Sequence, residues 1–240
     1  MKENKILARM REGRPATGCQ LAFPSAVLVE LMGMAGLDFL MIDGEHGTFS
    51  WEDIDDLCRV AELAGLTTIA RVPNIEASTI LRYIDRGVQG ILGPGVDTRE
   101  DAQALADACL YAPEGKRGLG GAPRASGYAS IASREYIEQS NEEMFVAAFL
   151  EHEEAVENLD EILEVDGIDA YYVGPQDMSV SLGLIGEPHH PRVKEMDARV
   201  RAAVEAKGKR YLGPDLIVAD RASNYFLNGI SAFLAEKGMA

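Results

Sequence analysis

The sequence is short of cysteine and of long apolar runs. Cys19, Cys58 and Cys109 are odd in number and widely scattered, so they have neither disulfide spacing nor zinc-site spacing. No apolar run is long enough to span a bilayer. The first ten residues are charged and lack the apolar segment of an export signal. These absences predict a cytoplasmic protein in a reducing compartment.

Positive charge is also scarce. The chain has 23 lysine and arginine residues against 39 aspartate and glutamate residues, a formal net charge of −16. Such a surface repels nucleic-acid phosphates and anionic membranes, so neither is expected as a partner. An anionic substrate would need a local cation, which either a metal ion or an arginine can supply.

Apolar residues are plentiful, at 47% of 240 residues, and can fill a sizeable core. Short apolar runs alternate with helical patterns about eight times, and no linker or composition shift divides residues 1–240. The pattern predicts an α/β protein with one domain, a single (β/α)8 TIM barrel, whose typical size is about 250 residues. An open doubly wound sheet is the alternative, weakened because no GxGxxG follows the first strand. The predicted strands are 17–23, 38–42, 67–73, 89–94, 144–150, 169–173, 209–213 and 222–228.

The second predicted strand runs directly into a polar cluster of Asp43, Glu45 and His46. In parallel α/β folds the loop at a strand's carboxyl end carries the chemistry. Two interpretations fit. In one, the polar side chains belong to a turn that caps the helix opening at 50–53; in the other, they form a site that puts a basic histidine beside two carboxylates. The one-sided clustering favours a site.

Three more polar residues occupy corresponding strand ends. Arg71 ends the third strand, Glu151 follows the fifth and Asp177 follows the sixth. In a barrel, all three residues would lie at the same rim as His46. An arginine in an apolar strand needs an anionic partner. Two neighbouring carboxylates with open positions suit a hard cation such as Mg²⁺ or Mn²⁺. Taken singly, Glu151 also fits a solvated charge and Asp177 a turn cap.

Five segments match a known family when they are taken together in order: Ile42–His46, Ala70–Pro73, Lys116–Gly120, the strand ending at Glu151, and Tyr172–Asp177. Over roughly residues 15–235 the chain resembles the HpcH/HpaI family of metal-dependent (class II) pyruvate aldolases, of the 4-hydroxy-2-oxoheptanedioate and 2-keto-3-deoxyglucarate type. The resemblance implies a (β/α)8 barrel and a homo-oligomer, commonly a hexamer with the last helix exchanged between neighbours. It also implies reversible cleavage of 4-hydroxy-2-oxo acids to pyruvate and an aldehyde.

The resemblance assigns roles to particular residues of this chain. Glu151 and Asp177 would hold Mg²⁺ or Mn²⁺, with Co²⁺ a further candidate, and Arg71 would stabilise the developing enolate oxygen. His46 would be the general base, with Asp85 raising its basicity. Simple barrel geometry puts Asp85 at the opposite end, and Asp43 is nearer in sequence, so both stay candidates. The substrate carboxylate would lie on the backbone of Gly174, Pro175 and Gln176.

One departure concerns the substrate. The family usually has a glutamine two residues before the metal-binding glutamate, and this chain has Phe149. The strand register points Phe149 toward the metal site, so we expect acceptor aldehydes that are smaller or less polar than sugar acids. The expected partners are therefore a small 2-oxo acid and an aldehyde. A decarboxylase or CoA-thioester lyase on the same fold is the second hypothesis, and a non-catalytic binding or scaffold protein is the third.

Overall fold

A computed structural model describes residues 2–239 of the chain. Its centre is a curled parallel sheet of eight strands in the order β7-β6-β5-β4-β3-β2-β1-β8. The strands are β1 (Ala16–Leu21), β2 (Phe39–Asp43), β3 (Thr67–Arg71), β4 (Gly90–Gly93), β5 (Phe145–Leu150), β6 (Ala170–Val173), β7 (Arg210–Tyr211) and β8 (Ile217–Arg221). Parallel pairing makes all carboxyl ends meet at one edge of the sheet, which is where the predicted site residues follow their strands.

Helices precede, connect and follow the strands. They are α1 (Lys5–Arg11), α2 (Ala26–Met34), α3 (Trp51–Leu63), α4 (Ala77–Asp85), α5 (Arg99–Cys109), α6 (Ser133–Glu142), α7 (Glu153–Glu157), α8 (Leu159–Ile162), α9 (Pro175–Ser181), α10 (Pro191–Ala206) and α11 (Ala222–Glu236). Two of them begin at capping boxes, where Ser50 pairs with Asp53 and Thr98 with Asp101. These boxes satisfy amide groups that a helix start leaves without partners, and so fix where the loops after β2 and β4 end.

Apolar side chains fill both faces of the sheet. One cluster includes Phe39, Ile69, Leu92 and Phe145 from the strands, together with Ile6 of α1. A larger cluster lies between the strands and the surrounding helices. Every residue of β5 is buried, which is typical of parallel strands covered on both sides. The core therefore fixes the strand register, and the register decides which side chains emerge at the carboxyl ends.

The two edge strands of the sheet are joined by a short connection, residues 212–216. The Leu212 amide donates to Tyr171 O of β6 at 2.7 Å, and the Ala16 amide donates to Leu216 O at 2.9 Å. Both leucines belong to the same cluster as Phe39. In the described part of the chain, β7 and β8 are not hydrogen-bonded to each other. The parallel α/β architecture predicted from the sequence is confirmed at this level.

The C-terminal prediction was wrong in one respect. The eighth strand is Ile217–Arg221 and not 222–228, and the latter residues open α11. The aromatic run at Tyr225 and Phe226 suggested a strand, but these side chains are exposed on a helix. The short α9 and the polar α6 were not predicted either, since α6 buries only Tyr136 and Ser140 and has no apolar stripe. No helix within residues 2–239 is long and apolar enough to cross a membrane.

Candidate active site

A cavity of about 630 Å³ opens at the carboxyl ends of the strands. Seven residues singled out in the sequence line it: Arg71, Phe149, Glu151, Gly174, Pro175, Gln176 and Asp177. They come from β3, from β5 and the residue after it, and from Gly174 and the first turn of α9. The parallel sheet thus brings together groups that are up to about a hundred positions apart in the chain.

Glu151 follows the last residue of β5 and is buried, with 6% of its surface exposed. Its Oε2 accepts a hydrogen bond from the Gly95 amide at 2.9 Å. Gly95 has φ +60°, a left-handed conformation that glycine adopts without strain. Burial raises the pKa of Glu151, and the nearby charges of Asp177 and Glu45 raise it further. The site therefore holds a desolvated carboxylate whose negative charge is incompletely compensated.

Asp177 lies in the first turn of α9, is exposed, and lines the same cavity. Proline at the first helical position, Pro175, starts this helix immediately after β6. No cluster of three or more histidine, cysteine or carboxylate ligands occurs within residues 2–239. Two carboxylates with room for water suit Mg²⁺ or Mn²⁺ better than Zn²⁺, and the raised pKa of Glu151 is what a nearby cation would relieve. The donor set fits a divalent cation.

Arg71 has the anionic partner that its strand position required. Its Nε and Nη2 donate to the two carboxylate oxygens of Asp43 at 3.1 and 2.7 Å, a bidentate pair. Gln20 Nε2 donates to the same carboxylate at 2.7 Å. Burial alone would raise the pKa of Asp43, but the bonds from Arg71 and from the His46 amide lower it overall. Asp43 therefore stays ionised and fixes the orientation of the guanidinium.

His46 lies at the rim, not among the residues that line the cavity, and its side chain is 62% exposed. Its Nε2 is 3.7 Å from Glu45 Oε2, and that oxygen is 3.2 Å from Arg71 Nε. Asp43 contacts the backbone amide of His46 and not its imidazole. The carboxylate beside the imidazole is thus Glu45, one of the two that the sequence placed next to His46, and not Asp43.

Asp85 lies at the end of α4, at the amino-terminal edge of the sheet and away from His46 of the same chain. Its Oδ1 accepts a hydrogen bond from Arg117 Nη2 at 3.2 Å. The Arg117 side chain is fully buried and also donates to Ser140 Oγ and the Tyr136 hydroxyl. Within one chain, therefore, Asp85 pairs with Arg117 and not with the candidate base.

The comparisons with known proteins agree with this geometry. The model of the family described as HpcH/HpaI aldolase/citrate lyase matches residues 17–235. The chain belongs to the HpcH/HpaI family. A 4-hydroxy-2-oxovalerate aldolase of Rhodococcus jostii is 38% identical over 234 residues, covering 94% of this chain and 86% of that protein. A hydroxypyruvate/pyruvate aldolase of Roseobacter denitrificans is 36% identical over 207 residues, covering 86% and 80%.

Solved structures extend the likeness to the fold. An HpcH/HpaI aldolase/citrate lyase family protein from Burkholderia cenocepacia superposes with a TM-score of 0.86 at 27% identity, over 99% of this chain and all of that one. The family resemblance inferred from the motifs is thus confirmed. HpcH/HpaI enzymes depend on a divalent cation, and the two cavity carboxylates described above have the ligand chemistry for one.

Several residues of this HpcH/HpaI site were not predicted. Gly95 and Gln20 act through hydrogen bonds to Glu151 and Asp43, and nothing in their local sequence indicates either contact. Tyr172 was quoted as part of a motif, yet its ring packs 5.0 Å from that of Phe149 in the cavity wall. Phe149 itself lies where the strand register predicted, since it is 7% exposed and lines the cavity.

Proposed function

We propose that the chain is a class II pyruvate aldolase that uses a divalent cation, Mg²⁺ or Mn²⁺, on Glu151 and Asp177. It reversibly cleaves 4-hydroxy-2-oxo acids to pyruvate, or a close 2-oxo acid, and an aldehyde. The observation that carries the proposal is the buried, raised-pKa carboxylate of Glu151, which shares one cavity with Asp177 and Arg71. When bound, the cation supplies Lewis acidity that stabilises an enolate.

The protein's own residues divide the remaining work. Arg71 lends its charge to the developing enolate oxygen, since Asp43 holds Nε and Nη2 and leaves Nη1 without a hydrogen bond among the described residues. The backbone at Gly174, Pro175 and Gln176 receives the carboxylate of the 2-oxo acid. His46 takes the proton of the C4 hydroxyl, or a methyl proton of pyruvate in the reverse direction. Because His46 is exposed at the rim, this transfer runs through water.

We further propose that the sheet closes as a single (β/α)8 barrel and that the protein is a homo-oligomer. Closure is supported by the short connection 212–216, which joins both edge strands. Oligomerisation is supported by α11, whose residues Phe226, Leu227, Ile230 and Phe233 are 42–69% exposed. So large an apolar face is rarely left open to water. Exchange of α11 between copies would cover it, and only another copy could bring Asp85 to His46.

Pyruvate methyl-proton exchange in deuterated water tests the function without knowledge of the aldehyde. We expect exchange that stops on chelation and returns with Mn²⁺ or Mg²⁺. Glu151→Gln and Asp177→Asn should abolish exchange and leave the fold intact, whereas Glu157→Gln, an exposed glutamate on α7, should exchange at the parent rate. If either cavity variant exchanged protons at the parent rate once metal was restored, the substituted residue would not be a metal ligand.

The two other hypotheses, a different lyase and a scaffold protein, predict different results in these assays. A decarboxylase or CoA-thioester lyase would act on its own substrate class without releasing pyruvate from 4-hydroxy-2-oxo acids. A scaffold protein would neither bind a divalent cation in the cavity nor form an enolate. The aldolase relatives at 38% and 36% identity favour the aldol reaction. The cytoplasmic location expected from the sequence stays a prediction.

A further inference from the structure

Tyr172 lines the cavity but has no part in the proposed function. On β6, Ala170 belongs to the interior cluster that contains Phe149, and Tyr171 to the outer cluster. Because side chains alternate along a strand, Tyr172 lies on the interior side with Ala170. Its strand partner is Phe149, whose ring lies 5.0 Å from that of Tyr172. Tyr172 therefore shares a layer of the cavity wall with Phe149, just below Glu151.

The hydroxyl group of Tyr172 has no hydrogen-bond partner in the described part of the chain. Other tyrosine hydroxyls do have one, since that of Tyr211 donates to Asp197 and that of Tyr136 accepts from Arg117. A buried tyrosine hydroxyl ordinarily finds such a partner. Tyr172 is partly exposed to the cavity, so its hydroxyl is a polar group in an apolar stretch of wall and is open to a ligand.

Charged groups of the metal end surround this hydroxyl. Burial raises the pKa of Tyr172, the charges of Asp197 and Glu151 raise it further, and the charge of Arg71 lowers it. The phenol therefore keeps its proton at neutral pH and can donate a hydrogen bond. Because such influences weaken with distance, they also put Tyr172 close to the groups assigned to the 2-oxo acid.

The oxygens of the 2-oxo acid already have partners in the proposed function. Its carboxylate lies on the backbone of residues 174–176, and its keto oxygen faces the cation and Arg71. The aldehyde oxygen gains negative charge when the carbon–carbon bond forms, yet it has only His46, which acts through water from the rim. Gln20 Nε2 is already bonded to Asp43. The unpartnered hydroxyl of Tyr172 is a free donor for the aldehyde oxygen.

We propose that the Tyr172 hydroxyl donates a hydrogen bond to the aldehyde oxygen while the carbon–carbon bond forms. The inference rests on the proposed aldolase function. The enolate carbon bonds to the aldehyde carbon, and the electron pair of the C=O π bond moves to the aldehyde oxygen. That oxygen then receives, through water, the proton that His46 took from the pyruvate methyl group. Tyr172 keeps its own proton and stabilises the negative charge until the proton arrives, and cleavage reverses these steps.

The test separates the aldehyde step from enolate formation. Pyruvate methyl-proton exchange needs no aldehyde, whereas aldol addition does. Both rates are measured with Mn²⁺ in the parent, Tyr172→Phe, Tyr211→Phe and Tyr128→Phe, with acetaldehyde and propanal as acceptors because each carries a single oxygen. Tyr211 lines the same cavity and is the internal rival, and Tyr128, which is 65% exposed, is the matched control. Thermal unfolding of every variant is measured alongside.

We expect Tyr172→Phe to lower the ratio of the addition rate to the exchange rate about ten- to a hundredfold, the usual effect of losing one hydrogen bond to a charged group. Tyr128→Phe and Tyr211→Phe should keep the parent ratio. An unchanged ratio in Tyr172→Phe, an equal loss of both rates, or a fall confined to Tyr211→Phe overturns the inference. Absence of exchange and of addition in the parent refutes the aldolase function instead, so the two failures are distinguishable.

Discussion

Gly174→Ala is the sharpest test of the metal site, because it adds one methyl group beside Glu151. An ideal Cβ at Gly174 would lie 2.9 Å from Glu151 Cγ and 3.0 Å from its Oε1. Carbon atoms in contact are normally about 3.5–4.0 Å apart, so the carboxylate must move. It cannot move freely, since Oε2 is held by the Gly95 amide and the side chain is buried.

The expected loss falls on metal binding and not on folding. Gly174 has φ −74° and ψ 101°, a conformation open to alanine, so no backbone strain opposes the change. Replacing glycine there removes unfolded-state freedom and tends to stabilise by about 0.4–1 kcal/mol. Displacing a ligand by several tenths of an ångström should weaken Mn²⁺ binding about 10- to 100-fold, as changes that disturb ligand orientation do.

The measurement is a Mn²⁺ titration of the metal-free protein, with free Mn²⁺ read by electron paramagnetic resonance, alongside thermal unfolding without metal. Gly121→Ala is the control, because nothing lies within 4 Å of its added Cβ. Parent-like Mn²⁺ affinity in Gly174→Ala, with loss in Glu151→Gln, would show that the carboxylate relaxes. Parent-like Mn²⁺ affinity in both variants would show that Glu151 is not a metal ligand.

Three further variants address the groups around the proposed cation site. His46→Ala should slow pyruvate proton exchange and aldol cleavage far more than it weakens pyruvate binding, with exposed His189→Ala as control; parent-rate exchange would assign the proton transfer elsewhere. Asp43→Asn should lower the free energy of unfolding in urea at pH 7 by about 1–3 kcal/mol, because Arg71 loses its bidentate partner and keeps only Glu45 nearby. The pKa of Asp43 is lowered on folding, so its contribution to stability is present above the unfolded value of about 3.9 and is lost as pH falls through the folded pKa. If the difference in free energy of unfolding between the parent and Asp43→Asn did not narrow in acid, this reasoning would be wrong. Phe149→Gln should raise kcat/KM for polyhydroxylated relative to apolar aldehydes by an amount worth about 1–3 kcal/mol, and an unchanged ratio would mean that the ring does not face the acceptor.

The sequence predicted the parallel α/β fold because its strongest signals are local. Continuous apolar runs such as Phe145–Leu150 mark buried strands, and Ser50–Asp53 marks a helix start. Where burial is weak, the prediction failed. The last strand, Ile217–Arg221, is half exposed and ends in charges, whereas the apolar residues after it belong to a helix that packs little against its own chain.

At the candidate site, too, positions along the chain were predictable from the sequence and contacts between side chains were not. The sequence could place Arg71, Glu151 and Asp177 in the cavity because each follows or ends a strand at its carboxyl end, a position that topology alone defines. The contacts that orient them depend on side-chain and backbone geometry across strands, as with Gly95 on Glu151. His46 was found for the same positional reason, but its exposure and its contact with Glu45 instead of Asp43 were not predictable from spacing.

Charge explains why the proposed site combines an arginine with a metal ion. Arg71 is paired with Asp43 and lies 3.2 Å from Glu45, so these carboxylates offset much of its charge and Nη1 is the nitrogen left to act on the enolate oxygen. In a chain of net charge −16, the cation proposed at Glu151 and Asp177 would supply most of the remaining positive charge for the 2-oxo acid. The 2-oxo acid end of the cavity is thus the place where the proposed cation and Arg71 would act together.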